Sequence, residues 1–186
     1  MEFLPTLKMG WLNGWIPILA FYLPFGLLML IWPKDIVKKL YAVSGWSQTE
    51  WIMSLAGKPF ALTCLGLVIV TPLKLGEGIF WIGTGIYLVG YVVMFVALFN
   101  YRNTPADQPV ERGLYRYSRN PQWIGLMMMF IGSEVMVGSG LALLCMLGAI
   151  IFYHFRILGE ERACLAAYGE PYRAFLDRVP RYFAVF

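Results

Sequence analysis

Charged side chains are scarce in this sequence. Asp, Glu, Lys and Arg make up 14% of its 186 residues, against about 25% in soluble domains. Hydrophobic residues make up 59%, and the mean hydropathy is +0.63. Because a soluble core of this size cannot bury so much apolar surface, the composition excludes a soluble globular domain and predicts a membrane protein.

Histidine and cysteine are scarce too, which excludes several kinds of site. His154 is the single histidine, so neither bis-histidine haem ligation nor a multi-histidine metal site can form. The three cysteines show no Cys-x-x-Cys or Cys/His spacing, which argues against zinc and disulfides. No Ser/His/Asp set, phosphate-binding loop or dinucleotide-binding glycine motif is evident, which disfavours hydrolases and nucleotide-hydrolysing enzymes. We therefore expect no metal.

Long apolar runs are what the chain has in abundance. They cover residues 10–32, 59–73, 78–99, 123–137 and 141–158. A helix needs about 20 apolar residues to cross a bilayer perpendicular to its plane. The pattern predicts an all-α, polytopic membrane bundle of five transmembrane helices in a single domain, residues 1–186.

The basic residues indicate how this bundle is oriented. When the spans alternate, thirteen of the 15 Lys and Arg residues share one side, and only Lys8 and Lys74 lie opposite. By the positive-inside rule, that side is cytoplasmic. We predict the N-terminus outside and the C-terminus inside, in the plasma membrane if the chain is bacterial. The net charge of +4 then forms a collar suited to anionic lipid headgroups, and no nucleic-acid partner is expected.

The last third of the chain is organised around a predicted hairpin. Residues 138–140 leave only a minimal turn between the fourth and fifth spans, which predicts a tight hairpin of these two helices. Asn120 suits the N-cap of the fourth helix and Pro121 its first position. After the fifth span, a cytoplasmic tail contains a stop at Gly169 and a short helix that ends before Pro180.

Polar and aromatic motifs concentrate in this third. In chain order they are Gly113-Leu114-Tyr115, Ser118-Arg119-Asn120-Pro121-Gln122-Trp123, His154, Glu160-Glu161 and Tyr168-Gly169-Glu170-Pro171-Tyr172. Over roughly the last 75 residues, the chain resembles the isoprenylcysteine carboxyl methyltransferase and phospholipid methyltransferase superfamily of integral-membrane enzymes. That family's pattern is Gly-x-Tyr, then Arg-His-Pro or Asn-Pro followed by an aromatic residue, a membrane hairpin, Glu-Glu, and Gly-Glu-x-Tyr.

The resemblance implies S-adenosylmethionine bound between the hairpin and the tail, in a cofactor-binding part of approximately residues 100–186. The acceptor would arrive from the bilayer. The phospholipid branch has a further Gly-x-Gly, which corresponds here to Gly83-Thr84-Gly85. Asn120 favours the phospholipid branch, whereas the tail at 169–181 looks more like the isoprenylcysteine branch. A phospholipid amine is therefore the first expected acceptor, and an isoprenylcysteine carboxylate or another small amphiphile the second.

The chemistry of the same residues suits a cofactor pocket. The helix start at Asn120 and Pro121 offers free N–H groups to a carboxylate or phosphate, and Arg119 could supplement it. Glu160 or Glu161 could accept hydrogen bonds from the cofactor's amino or ribose groups and balance its sulfonium. Trp123 and Tyr172 are the aromatic residues expected to shape the pocket, with Tyr115 also assigned to it, although Tyr115 and Trp123 fit an interfacial aromatic belt equally well.

Acid–base and acceptor roles fall on a few ionisable groups. His154 has the ordinary pKa that best suits removal of a proton from an amine, and Glu161 lies two turns further along the same face. Glu134 and Arg156 are expected on the acceptor side. Simpler interpretations remain open for these residues, since Glu160 could merely pair with Arg156, and His154 could be an interfacial anchor.

Simpler interpretations also extend to the glycines and to the function. The Gly83-Thr84-Gly85 stretch could mark helix packing, because Gly76, Gly83 and Gly90 recur every seven residues. Two other functions remain possible. One is a membrane reductase of the sterol reductase type that uses a nicotinamide nucleotide, and the other is a non-catalytic lipid-binding protein. The sequence leaves any protein partner unknown.

Overall fold

The computed structural model describes residues 1–41, 45–105 and 107–182. Within these ranges the helices are α1 Trp15–Ile31, α2 Lys34–Leu40, α3 Gln48–Val70, α4 Gly78–Arg102, α5 Pro121–Val137, α6 Gly140–Tyr168 and α7 Glu170–Arg178. A 3₁₀ turn, Gly113–Arg116, lies between α4 and α5. The described part of the chain contains no strand, which confirms the all-α prediction. Residues 42–44, 106 and 183–186 lie outside the described residues, including the last part of the predicted cofactor-binding region.

Three helices, α3, α4 and α6, are long and apolar enough to cross a membrane. The other two apolar helices, α1 and α5, have 17 residues each, which is shorter than the roughly 20 of a perpendicular crossing. An integral membrane protein therefore fits the structure. The count of five spans and the sidedness of the bundle stay predictions.

Two helix boundaries differ from the predicted spans. α1 begins at Trp15 rather than at residue 10, because the preceding segment is used in contacts with other parts of the chain. α3 begins at Gln48 rather than at residue 59, so Lys58 and Pro59 lie inside a helix and not at the end of a loop. A capping box starts α3 there: Ser47 Oγ accepts from the Glu50 N–H, and the Glu50 carboxylate accepts from the Ser47 N–H.

Glycines allow α4 and α5 to pack backbone against backbone. A Cβ added to Gly83 would lie 2.6 Å from Gly132 O, and one added to Gly90 would lie 2.7 Å from Gly125 O. The reverse holds for Gly125 and Gly132, whose added Cβ atoms would meet α4 backbone at 2.6 Å. Small residues permit such close approach in membrane helix pairs. The packing interpretation of Gly83 and Gly90 is therefore confirmed.

α3 and α6 form the second pair, through aromatic rings placed over glycines. A Cβ on Gly57 would lie 2.8 Å from Phe152, and one on Gly148 would lie 2.8 Å from Phe60. The rings of Phe60 and Phe152 stack with centroids 5.4 Å apart. Each long helix thus has a partner that the sequence did not predict.

The predicted hairpin is correct at its turn and wrong along its arms. α5 ends at Val137 and α6 begins at Gly140, and Gly138 takes the left-handed conformation with φ +69°. Beyond the turn, α5 packs along α4 and α6 packs along α3, with few contacts between α5 and α6 themselves. The reason is that the glycine faces of α5 and α6 point to different partners. Space is therefore left between the two pairs.

We call the end of the bundle near residues 71–77 and 138–139 the turn end. The N-terminal segment lies across it: the Glu2 N–H donates to Gly138 O at 2.9 Å, and the Leu73 N–H donates to Leu12 O at 2.9 Å. Lys74 also forms an ion pair with Glu2 at 2.8 Å. These contacts hold the helix ends together at this side of the bundle.

The opposite end, where α4 ends and α5 begins, is called the basic end. α1 packs against α4 here, where the rings of Trp32 and Phe99 meet edge to face. Gly169, with φ +60°, ends α6 where the sequence predicted a stop. α7 follows, and Tyr172 and Phe175 bury against Tyr115 and the last turns of α4. The tail is thus packed onto the bundle.

Candidate functional site

After α7, the tail returns to the start of α5. The Arg119 N–H donates to Pro180 O at 2.9 Å, and Ser118 Oγ donates to Arg181 O at 3.1 Å. Asn120 Nδ2 donates to the same Arg181 carbonyl at 3.2 Å. These hydrogen bonds hold the backbone of residues 180–181 beside the start of α5. From this position the Arg181 side chain reaches α6.

Among the described side chains at the basic end, that of Glu161 on α6 accepts the most hydrogen bonds. It is 7% exposed. Arg181 donates to both of its oxygens at 3.0–3.1 Å, and Asn120 Nδ2 donates to Oε1 at 3.1 Å. Arg119 Nε lies 3.4 Å from Oε1, close enough for an ion pair but without hydrogen-bond geometry. The hydrogen bonds to Glu161 raise the pKa of Arg181, so this guanidinium stays charged. The buried carboxylate is therefore compensated by two cations.

Glu160, its neighbour, has a different set of partners. Trp123 Nε1 donates to Oε2 at 2.9 Å, and Arg156 Nε donates to Oε1 at 3.1 Å. The Arg156 guanidinium carbon lies 5.2 Å from the ring of Trp46 and 5.4 Å from that of Trp123. This confirms that Glu160 pairs with Arg156. Glu160 faces one cation, whereas Glu161 faces two.

A cavity of about 380 Å³, which we call the main cavity, opens beside these two carboxylates. Its polar wall brings together seven of the residues expected to bind a cofactor: Tyr115, Arg119, Asn120, Trp123, Glu160, Glu161 and Tyr172. Its apolar wall comes from α1 and α4, and includes Phe21, Phe25, Met94 and Leu98. The cavity thus joins a charged end to an apolar end, as an amphiphilic reaction partner requires.

Two tyrosines of the polar wall are deeply buried. Tyr115 is 7% exposed and Tyr172 is 6% exposed. Burial raises the pKa of both phenols above their ordinary value. Their hydroxyl groups therefore remain protonated at physiological pH, and that of Tyr172 is hydrogen-bonded to Cys164.

The start of α5 differs from the predicted cap. Pro121 occupies the first turn as expected, but Asn120 makes no side-chain capping bond, because its amide is turned to Glu161 and to the tail. The N–H groups of the first turn therefore keep their capacity to bind an anion. Gln122 Nε2 is buried without a hydrogen-bond partner among the described residues, and Gln122 lines the main cavity. Sequence reasoning had assigned no role to Gln122.

His154 lies apart from this wall. Its Nδ1 is 2.8 Å from the Tyr182 hydroxyl, and neither the main cavity nor the neighbouring cavity described below includes it among its lining residues. His154 and Glu161 do lie seven residues apart on the same helix, but the Glu161 side chain is turned toward α5 and the tail. The structure does not bring His154 and the two carboxylates together around one space.

Glu134 also lies away from the main cavity. It is fully buried in α5, toward the turn end, where Cys64 Sγ donates to Oε1 at 2.7 Å. Its Oε2 has no hydrogen-bond partner within the described ranges. Arg156, the other residue expected on the acceptor side, lines the main cavity.

The Gly-x-Gly motif does not reach the cavity either. α5 backbone fills the space next to Gly83, and a Cβ on Gly85 would meet nothing within 4 Å. Neither glycine lines the main cavity, and Pro121 does not line it. Of the three glycines that recur every seven residues, Gly83 and Gly90 pack against α5, whereas Gly76 precedes α4 and a Cβ there would meet nothing within 4 Å.

Other residues of the site were missed by sequence reasoning. Lys39, from α2, lines the cavity and lies 5.5 Å from the Tyr101 ring and 5.3 Å from the Tyr168 ring. Arg181 fixes Glu161. No local motif marks these positions, because each depends on how distant segments meet at the basic end. Within the described ranges, no group of three or more His, Cys, Asp or Glu side chains could hold a metal ion.

Comparison with known proteins assigns the family. No curated protein and no solved structure shows a match to the chain. The model of the phospholipid methyltransferase family matches residues 68–171, which is more than half of the 186 residues and runs from the end of α3 to the start of α7. The matched segment includes the start of α5, both carboxylates and the turn between α5 and α6. The chain therefore belongs to the phospholipid methyltransferase family of integral-membrane methyltransferases.

Proposed function

We propose that the protein transfers a methyl group from S-adenosylmethionine to a lipophilic acceptor at the cytoplasmic membrane face, with a phospholipid amine as the first acceptor. The main cavity is the observation that supports this most directly. It combines a polar wall of paired carboxylates, cations and aromatic rings with an apolar wall that extends into the bundle. Family membership supports the same reaction class.

The polar wall fits the charges of S-adenosylmethionine. The unpartnered Gln122 amide, the uncapped start of α5 and Arg119 together suit its carboxylate. Glu160 and Glu161 carry negative charge that balances its ammonium and sulfonium groups, and the rings of Tyr115 and Tyr172 offer flat surfaces for its adenine. When bound, this cofactor supplies an electrophilic methyl carbon on a positively charged sulfur.

The protein's own residues would align the acceptor and manage its proton. An amine acceptor forms a new N–C bond as the methyl–sulfur bond breaks, and it loses one proton overall. We assign that proton to Glu160, because Glu160 lines the cavity and faces a single cation, Arg156. Glu161 is better suited to position the start of α5 and the tail. His154, expected as the base from sequence, lies outside the cavity lining.

Calorimetric titration of the detergent-purified protein tests the cofactor. We expect saturable binding of S-adenosylmethionine and of its demethylated product, and none of reduced nicotinamide dinucleotide phosphate. Glu160→Gln and Glu161→Gln should each weaken binding by about tenfold, which corresponds to about 1.4 kcal/mol. Glu111→Gln is the matched control, because Glu111 pairs with Arg178 at the surface. Binding of the nicotinamide nucleotide alone would support a reductase, and binding of neither would contradict the proposed enzyme.

A transfer assay tests the acceptor. The protein in vesicles containing an aminophospholipid should transfer labelled methyl from S-adenosylmethionine into the lipid fraction. Vesicles in which that lipid is replaced by one with a hydroxyl headgroup should not accept label. Equal labelling of both would contradict an amine acceptor while leaving the cofactor assignment intact.

A further inference from the structure

A second cavity of about 290 Å³ lies next to the main cavity, in the space between the two helix pairs. We call it the side cavity. Its walls are α3, α5 and α6, with Tyr22 from α1. It shares Tyr22, Trp123, Leu126 and Arg156 with the main cavity, so the two spaces are adjacent. None of the site assignments above uses it.

The side cavity is apolar except at one end. On α3 its lining residues run from Lys58 through Ala61 and Leu62 to Leu65, and on α6 they run from Met146 to Arg156. α3 and α6 run in opposite directions, so the residue nearest the basic end is Lys58 on one wall and Arg156 on the other. Both are cations, and they are the only charged residues among the described residues of the lining. The cavity therefore has a positive mouth and an apolar interior.

Both cations have capacity to bind a further anion. The structure shows no ion pair for Lys58 with any described residue. Arg156 uses Nε for Glu160, and its two terminal nitrogens make no hydrogen bond within the described part of the chain. Its guanidinium also lies within cation–π distance of the Trp46 and Trp123 rings, which help to hold it in place. Carboxylates and phosphates are the anions that pair with a guanidinium, and at a membrane surface lipid headgroups supply the phosphate.

The interior is open to lipid. Leu62, which lines the cavity, is 66% exposed on the surface of α3. In a bilayer this surface faces hydrocarbon, since α3 is one of the three helices long and apolar enough to cross the membrane. An acyl chain could thus enter sideways between α3 and the α4–α5 pair.

We propose that the side cavity binds one acyl chain of a phosphate-headed lipid, with Lys58 and Arg156 holding the phosphate. The amine of that headgroup would then extend past Trp123 into the main cavity, where Glu160 lies. That this lipid is the methyl acceptor rests on the proposed function; its binding in the side cavity does not. Lys58 is accordingly a positioning residue for the headgroup.

Binding of single-chain amphiphiles tests this without any cofactor. Native mass spectrometry of the detergent-purified protein would compare lysophosphatidylethanolamine with a monoacylglycerol of the same chain length. We expect about tenfold tighter binding of the phosphate-headed amphiphile. Lys58→Ala should remove most of this preference, and Lys58→Glu should abolish it. Lys38→Ala, at an exposed basic position outside both cavities, is the matched control and should keep it.

A space-filling change tests the acyl chain. Ala61→Trp should weaken binding of both amphiphiles by about tenfold or more, whereas Leu88→Trp, on an exposed face of α4, should not. The melting temperature in detergent checks that each variant keeps its fold, independently of any cofactor. An unchanged headgroup preference in both Lys58 variants would overturn the proposal, as would unchanged binding in Ala61→Trp. Absent cofactor binding in the unaltered protein would instead contradict the proposed function alone.

Discussion

Asn120 donates its side-chain amide to Glu161 Oε1 at 3.1 Å, across 41 positions of sequence. The bond joins the start of α5 to the buried part of α6, and the same amide also holds the tail through Arg181 O. One side chain thus connects the three segments that form the polar wall of the main cavity.

Asn120→Asp should make stability depend on pH. The change replaces a donor by a second carboxylate beside Glu161, so the pKa of the introduced carboxyl should rise above its ordinary value of about 4. A raised pKa means that the folded state binds more protons than the unfolded state, so the free energy of unfolding should fall as pH rises through this window.

Thermal unfolding in detergent between about pH 4 and pH 8 would measure this dependence. Asn103→Asp is the control, because Asn103 is exposed at the end of α4. Parallel pH profiles for the two variants would contradict the contact between Asn120 and Glu161.

Arg181→Ala should loosen the tail. It removes the guanidinium that donates to both oxygens of Glu161 and leaves Arg119 as the remaining cation nearby. Loss of charge-assisted hydrogen bonds of this kind costs about 1.5–3 kcal/mol. We expect a lower melting temperature and faster proteolysis near the C-terminus.

The comparison variant for Arg181 is Arg178→Ala. Arg178 forms its ion pair with Glu111 at the surface, where such pairs contribute about 0–1 kcal/mol. Equal effects of the two substitutions would show that Arg181 does not hold the tail against α6.

Trp123→Phe should weaken cofactor binding while keeping the aromatic surface. The substitution leaves Glu160 Oε2 without the indole N–H that now donates at 2.9 Å. An acceptor left unpaired in a half-buried site costs about 1–3 kcal/mol. Trp81→Phe, at a position 67% exposed on α4, should have no effect in the same calorimetric titration.

Gly83→Ala should separate α4 from α5, because the new Cβ would lie 2.6 Å from backbone atoms of Gly132 and Met136. Overpacking of this kind costs about 1–3 kcal/mol. Gly85→Ala, two residues away, meets nothing within 4 Å and should be neutral or stabilising by up to about 1 kcal/mol. Melting temperatures of the two variants decide between a packing role and a cofactor role for this motif. Reduced cofactor affinity in Gly85→Ala with an unchanged melting temperature would argue for the cofactor role.

The sequence predicted the helical fold and much of the polar wall, because both depend on local patterns. Apolar runs marked the helices, and the order of motifs around Asn120 and Glu161 identified the residues that meet at the main cavity. The start of α3 at residue 48 could also have been predicted, since Ser47 and Glu50 have the spacing of a capping box. Pro59 favoured a later start, because a proline is more common at the start of a helix than inside one.

The remaining features depend on which helices become partners, and no local pattern specifies that. Glycine spacing indicated that α4 has a packing face, but not that α5 would fill it. The pairing of α3 with α6 opened the side cavity and moved Lys58 from an expected loop to a cavity mouth. Arg181 reached Glu161 only because the tail folds back along residues 118–120.

The pairing of helices also sets an order of assembly during synthesis. α4 and α5 are consecutive helices, joined by residues 103–120, so their glycine faces can meet as soon as both have been made. α3 is made before them, yet its partner α6 emerges from the ribosome last among the long helices. The surface of α3 at Gly57 and Phe60 therefore stays exposed to lipid or to an insertion factor until α6 has been made. A chain arrested after α5 would contain a finished helix pair and an unpaired α3, and the polar wall of the main cavity would exist only once α6 and the tail had been made.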